Sequence, residues 1–167
     1  MGESEKEIEQ RSKRMVDLLN QIKGDDIREF PVPPFTKWLN GKIISAKKGE
    51  VLIEMTVRKE MANPTGLLHG GMQSAMMDDT IGVTCATLGY KGFLITIDFH
   101  ADFLGKARVG ETVKVRGFIV RDGKRIVHAD AEIMNADGEK IATASSNLIK
   151  TTHKPDYVKN MPDEDKK

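Results

Sequence analysis

The stretch Asn63-Pro64-Thr65-Gly66-Leu67-Leu68-His69-Gly70-Gly71, followed by Asp78-Asp79, concentrates the residue types that could do chemistry in this chain. Gly70 and Gly71 open an apolar run that reads as a helix. The first backbone N–H groups of a helix have no partner within it, and the helix dipole makes that end positive. Two glycines there remove the Cβ atoms that would keep a ligand oxygen away from those donors. A carbonyl oxygen that gains negative charge during acyl transfer suits such an end, and one donor is worth roughly 10²–10³ in rate. Asn63, just upstream on a Pro-stiffened loop, could add a second donor from its side-chain amide.

Two acids follow inside the same apolar run. A carboxylate removed from water costs several kcal/mol unless it is paired, so Asp78 and Asp79 need a reason to be there. Periodicity leaves the choice between them open. Asp78 shares a helix face with Ser74, Ile81 and Cys85, and Asp79 with Met72, Met76 and Val83; both faces are largely apolar. Spacing says more. Gly70 and Asp78 are eight residues apart on one helix, roughly 12 Å at ~1.5 Å per residue. A base and an oxyanion donor must both reach one reacting carbon within about 3–3.5 Å. One copy cannot supply both. A second copy with its helix reversed would bring its own Asp78 beside Gly70, so the site predicts a two-fold dimer with two shared sites.

The elements that must position these groups are legible from pattern. Residues 3–23 read as a helix, with Met15, Leu18, Leu19 and Ile22 at helical spacing and Gly24 as a stop. The prolines of FPVPPF predict an extended linker. IISA (43–46) and VLIEMTV (51–57) predict a hairpin. From Gly70 to about Leu88 the apolar residues lie all round the helical wheel, which predicts a buried helix, stopped by Gly89. Strands are expected at 93–103, 111–121, 125–134 and 140–150, the later ones joined by Asp122-Gly123 and Asp137-Gly138. In 93–103, Phe93, Ile95, Ile97, Phe99, Ala101 and Phe103 alternate with Leu94, Thr96, Asp98, His100 and Asp102, so the two sets should face opposite ways. The predicted class is α+β: an antiparallel sheet, ending in a four-strand meander, wrapped around one central helix. The organisation expected is an N-terminal helix and linker (1–34), one domain (35–152) and a polar tail (153–167).

Composition excludes several roles. Twenty-six Lys and Arg stand against twenty-five Asp and Glu in 167 residues, a net charge of +1. Nucleic acid and an anionic membrane both select a basic excess, so neither is the expected partner. The single cysteine, Cys85, cannot form an internal disulfide and reads as a small apolar filler. MGESEKEIEQ is too charged for a secretory signal and no apolar run approaches 18 residues, which predicts a cytoplasmic chain. His100, His128 and His153 show no ligand spacing, so no metal is expected. Met72, Met76 and Met77 would suit either an acyl tunnel or core packing.

The run N-P-T-G-L-L-H-G-G-M-Q-S-A-M-M-D-D resembles the hotdog-fold acyl-CoA thioesterases, specifically the phenylacetate-degradation type, over about residues 38–151. The resemblance implies a hotdog fold, assembly into a dimer and often a tetramer, an acyl-CoA substrate and no cofactor. It prefers Asp78 over Asp79 as the carboxylate that activates water or attacks the thioester. It implies that the Gly70 N–H and Asn63 polarise the thioester oxygen, that His69 orients the carbonyl side, and that Thr96 places a hydroxyl near the attacking water. Gly71 and Met72 are expected to contact substrate. Arg58, Lys59, Lys91, Lys106, Arg108 and Arg125 are the cations available for coenzyme A phosphates. Two rival readings remain: an acyl-CoA carrier without turnover, and an enoyl-thioester hydratase, whose second acid–base residue is not evident.

Overall fold

The computed structural model describes residues 4–154, so the tail expected at 153–167 lies almost wholly outside the described residues. Helix α1 spans Glu5–Gln21, α2 Pro34–Leu39 and α3 Gly70–Ala86. The strands are β1 (Lys42–Lys47), β2 (Glu50–Thr56), β3 (Leu94–Phe103), β4 (Thr112–Asp122), β5 (Ile126–Met134) and β6 (Lys140–Lys150). Short 3-10 turns occupy Ile27–Glu29 and Lys59–Met61.

All six strands join one antiparallel sheet in the order β1-β2-β4-β5-β6-β3. The predicted four-strand meander is therefore corrected. β4, β5 and β6 do meander, but β3 pairs with β6 at the far edge while β4 pairs with β2. The residues that alternate inward (Val51 and Ile53 of β2, Val113 and Val115 of β4, Val127, Ala129 and Ile133 of β5, Ala142 and Leu148 of β6) meet Met76, Met77 and Ile81 of α3 in the core. Met76 and Met77 are completely buried, so their thioethers fill core space and not a tunnel.

The helix expected to be enclosed on every side is open on one. Gly71, Asp78 and Ala86 are exposed and Ser74, Ala75 and Gly82 half-buried, at helical spacing along one strip. Thr80 and Thr84, on the buried side, satisfy their hydroxyls on the carbonyls of Met76 and Thr80.

Helix α1 starts with a capping box between Ser4 and Glu7 and packs across the sheet's other edge. The Asn20 side-chain amide bonds both the N–H and the carbonyl of Ala46 in β1. Ser12 donates its hydroxyl to the Thr87 carbonyl at 2.7 Å, and Arg11 reaches the Gly89 carbonyl. The chain turns sharply after α3 at Gly89, whose φ is +80°, and a Cβ there would stand 2.2 Å from the Ile8 carbonyl oxygen. Gly89→Ala should cost about 2–4 kcal/mol from left-handed strain plus this overlap, read as a lowered thermal midpoint.

The Pro-rich linker is also corrected. Residues 34–39 are helical, with Pro34 at the first position. Proline forbids a helix interior but fits its first turn, where the missing N–H has no partner to lose.

Candidate active site

Asp78 is exposed on the open strip of α3, and the Thr96 hydroxyl donates to its Oδ1 at 3.2 Å. Strict alternation would not place Thr96 beside Phe99 on one face, yet the strand does so. A bulge between Thr96 and Asp98 inserts Ile97 as an unpaired residue. Before it, Leu94 and Thr96 turn towards α3. After it, Phe99, Ala101 and Phe103 pair with the inward Ser146, Ala144 and Ala142, so the odd-numbered residues take over that face. The single alternating face predicted for 93–103 is therefore two half-faces. Asp98, thrown outward, binds the backbone and side chain of Asn147.

At the other end of β3, the Phe103 ring lies against the start of α3, 3.4 Å from where a Gly70 Cβ would sit. β3 therefore runs antiparallel to α3, from Asp78 at Thr96 back to Gly70 at Phe103. His69 is the N-cap of α3, and its Nδ1 accepts the Gly71 N–H at 2.9 Å. That contact places the imidazole proton on Nε2. It also engages the Gly71 donor, so Gly71 offers a ligand space and not an N–H. Among the described residues nothing accepts the Gly70 N–H, which is left as the open donor at this end. Met72 is half-buried and packs against the core.

Asn63 folds its own loop. Its Oδ1 accepts from the Thr65 N–H (2.9 Å), the Thr65 hydroxyl (2.7 Å) and the Leu67 N–H (3.2 Å), which commits the oxygen and leaves the amide N–H groups as donors. The loop is anchored by Leu68 N–H on Ala107 and His69 N–H on Met61. Asp78 and Thr96 are thus brought together at one end of the strip, and Gly70, His69 and Phe103 at the other. Nothing within one chain brings Asp78 to Gly70.

The chain's likeness to known proteins agrees with this geometry. A family model described as "Thioesterase superfamily" matches residues 65–142. Human acyl-coenzyme A thioesterase 13 is 31% identical over 107 residues, covering 61% of this chain and 75% of that protein. The chain belongs to the thioesterase superfamily. In fold, this hotdog thioesterase superfamily member is similar to the Escherichia coli PaaI protein, with a TM-score of 0.71, 19% identity, and 86% and 96% of the two chains covered. It is likewise similar to a Streptococcus mutans protein solved bound to acetyl CoA, with a TM-score of 0.65, 22% identity, and 70% and 92% covered.

Two features of this thioesterase-superfamily chain are invisible or undecided in its sequence, the surroundings of Asp79 and the contacts of Arg58, while Cys85 fits the filler role read for it. Asp79 is half-buried, with Oδ2 enclosed, and its Oδ1 accepts from Thr36 of α2 at 2.7 Å. Burial, opposed by the Thr36 bond and reinforced by the neighbouring Asp78 charge, pushes its carboxyl up to about 6. Asp78 and Asp79 are therefore unlike: one meets solvent and a hydroxyl, the other is enclosed. Arg58 is taken up locally, donating to the carbonyls of Trp38 and Leu39 and to Glu60. Burial pushes the Cys85 thiol up to about 12, so it is no thiolate nucleophile at neutral pH. Among the described residues no group of three or more His, Cys, Asp or Glu could hold a metal ion, and no helix is long and apolar enough to cross a membrane.

The Asp79 carboxyl has a measurable consequence for folding. In the unfolded chain it titrates near 3.8, and in the fold near 6. Between those values the folded chain holds a proton that the unfolded chain has released, so stability falls as pH rises through this window. The fall amounts to about 3 kcal/mol at ~1.36 kcal/mol per tenfold change in proton affinity. Asp79→Asn should abolish that part of the slope. Urea denaturation at pH 4 and pH 7.5 measures it, and an unchanged difference between the two would contradict the assignment.

Proposed function

We propose that this thioesterase hydrolyses acyl-coenzyme A to the free acid and coenzyme A, in two sites shared between antiparallel copies of the chain. The observation that carries the reading is the exposed Asp78–Thr96 pair, set beside an edge strand whose outer side has no partner among the described residues. Apolar side chains stand uncovered along it: Ile97 is 56% and Phe103 52% exposed, with Phe93 and Ile95 also open, among the exposed Asp98, His100 and Asp102. An open, apolar edge strand is a template for another strand. A second β3 added antiparallel carries a second α3 running the opposite way, because β3 and α3 are antiparallel within each chain. The partner's Gly70 then approaches Asp78, and the reverse, as the 12 Å spacing along one helix requires.

In such a site the thioester oxygen is held by the partner's Gly70 N–H and Asn63 amide. Thr96 donates to one oxygen of Asp78 and leaves the other for water. Asp78 takes the water proton as the oxygen attacks the carbonyl carbon, and the charge that builds on the carbonyl oxygen falls on the waiting donors. The tetrahedral adduct collapses by breaking the C–S bond. The proton on Asp78 passes to the departing thiolate, a leaving group good enough to need no separate acid. His69, with its proton on Nε2, offers a further donor to the carbonyl side. The names of the relatives and the acetyl CoA bound by the Streptococcus mutans protein support the substrate class. A thiol-release assay over a panel of aryl, short-chain and medium-chain acyl-CoAs tests it. Saturable release is expected, and stable acyl-CoA binding with no free thiol would favour a carrier instead.

A further inference from the structure

Asp79 stands next to Asp78 and has no part in the steps above. One of its oxygens accepts the Thr36 hydroxyl, tying α3 to α2, and the other is buried with no hydrogen-bond partner among the described residues. Thr36 is itself buried. Its neighbours Phe35 and Trp38 stack with ring centroids 6.1 Å apart and stay largely exposed. At its C-terminal end α2 is held again, where Arg58 donates to the carbonyls of Trp38 and Leu39 and lies over the Trp38 ring. α2 therefore bridges the middle of α3 to the segment that leads into Asn63.

We propose that Asp79 is a releasable anchor for α2, seating that helix on α3 beside Asp78 when its carboxyl is neutral and loosening it when the carboxyl is ionised. The proposal rests on Asp78 being the group that activates water, and it concerns the regulation of that same site. Ionisation and seating are linked. A buried carboxylate oxygen without a partner is costly to charge, and displacing α2, whose Thr36 lies on the other oxygen, would admit water to it. Ionisation must then favour the loosened arrangement by the same factor by which the seated arrangement disfavours ionisation. The groups around Asp79 agree in sign. On α3 the one charge acting on it is that of Asp78, which opposes ionisation; α2 presents the Thr36 hydroxyl, and neither its Lys37 nor any charge from the strands is among the groups acting on the carboxyl. An apolar or amide side chain would cost the fold less at neutral pH, which is a reason to assign this carboxyl a task.

Trp38 is the only tryptophan in the chain and sits two residues from Thr36, so its emission reports on α2. In the native protein, a pH titration should shift Trp38 emission with a midpoint near 6. Exchange of the hydrogen-bonded amides in 37–40 should rise through the same range by about 10–100-fold beyond ordinary base catalysis, since each tenfold in proton affinity is a tenfold in the coupled equilibrium. Asp79→Asn should flatten both signals. Thr36→Val, which removes only the bond favouring the ionised form, should move the midpoint upward. The KM for acyl-CoA should change across the same pH range in the native protein and not in Asp79→Asn. A flat native response, a midpoint that persists in Asp79→Asn, or one unmoved by Thr36→Val would overturn the proposal. The Trp38 and exchange signals need no turnover. Native-like activity of Asp78→Asn would sink the catalytic reading alone, while Trp38 would still decide the anchor.

Discussion

Asp78→Asn should lower kcat for acyl-CoA hydrolysis by at least about 100-fold while leaving KM within a few-fold of the native value. The asparagine keeps the side chain's shape and can still accept from the Thr96 hydroxyl, so the strip of α3 and its bond to β3 are preserved. What is lost is the ability to take a proton from water. A group that acts mainly in the transition state shows in kcat, because substrate binds with or without it. Asp79 does not stand in for it, since it points towards Thr36 of α2 and not towards Thr96 of β3. Steady-state thiol release on both proteins, with matched thermal melts to exclude unfolding, makes the measurement. Equal kcat values would remove Asp78 from the mechanism.

Mixing two inactive variants should restore activity. Asp78→Asn damages the acid and Asn63→Ala a donor, and each homodimer then carries the same defect in both of its shared sites. In a mixed dimer, one site joins the two damaged groups and the other joins native Asp78 from one chain to native Asn63 from its partner. Random re-association makes about half the dimers mixed, each with one of two sites intact, so activity should recover to roughly a quarter of native. From a starting level near 1%, that is a rise of more than tenfold. Two variants unfolded together and refolded together test it, against each refolded alone. Absence of any recovery would mean that donor and acid belong to one chain, contrary to the distance along α3.

Much of this arrangement is legible in the sequence. The glycines after His69 and the two-turn separation of Gly70 from Asp78 are properties of a single helix, and helical geometry is local. The strand spans were likewise near their observed ends, since alternation and Asp-Gly turns act over a few residues. The parts that were hidden depend on non-local pairing. The sequence around Ile97 alternates without a flaw, and only its ladder with β6 shows that a residue is left over. β3 follows α3 in the chain yet joins the sheet beside β6, a choice made by which apolar faces meet around α3 and not by any feature of 93–103 alone. Asp78 and Asp79 were equal by periodicity. They part because α2 covers one of them, and α2 was hidden in a run of prolines whose last member starts a helix.

Helix α1 has a consequence for how large an assembly can grow. Asn20 occupies the backbone groups of Ala46, and Gly24 donates its N–H to the Ile43 carbonyl. The first edge of the sheet is thus partly engaged by α1 and the turn after it, while the last has no partner among the described residues. A ribbon obstructed along one margin can be lengthened once, by a second copy turned about a two-fold axis at the open margin, and then presents the obstructed margin at both ends. On the pairing proposed above, growth by strand addition would stop at two chains, and an apolar border that could seed fibres would be closed within a pair.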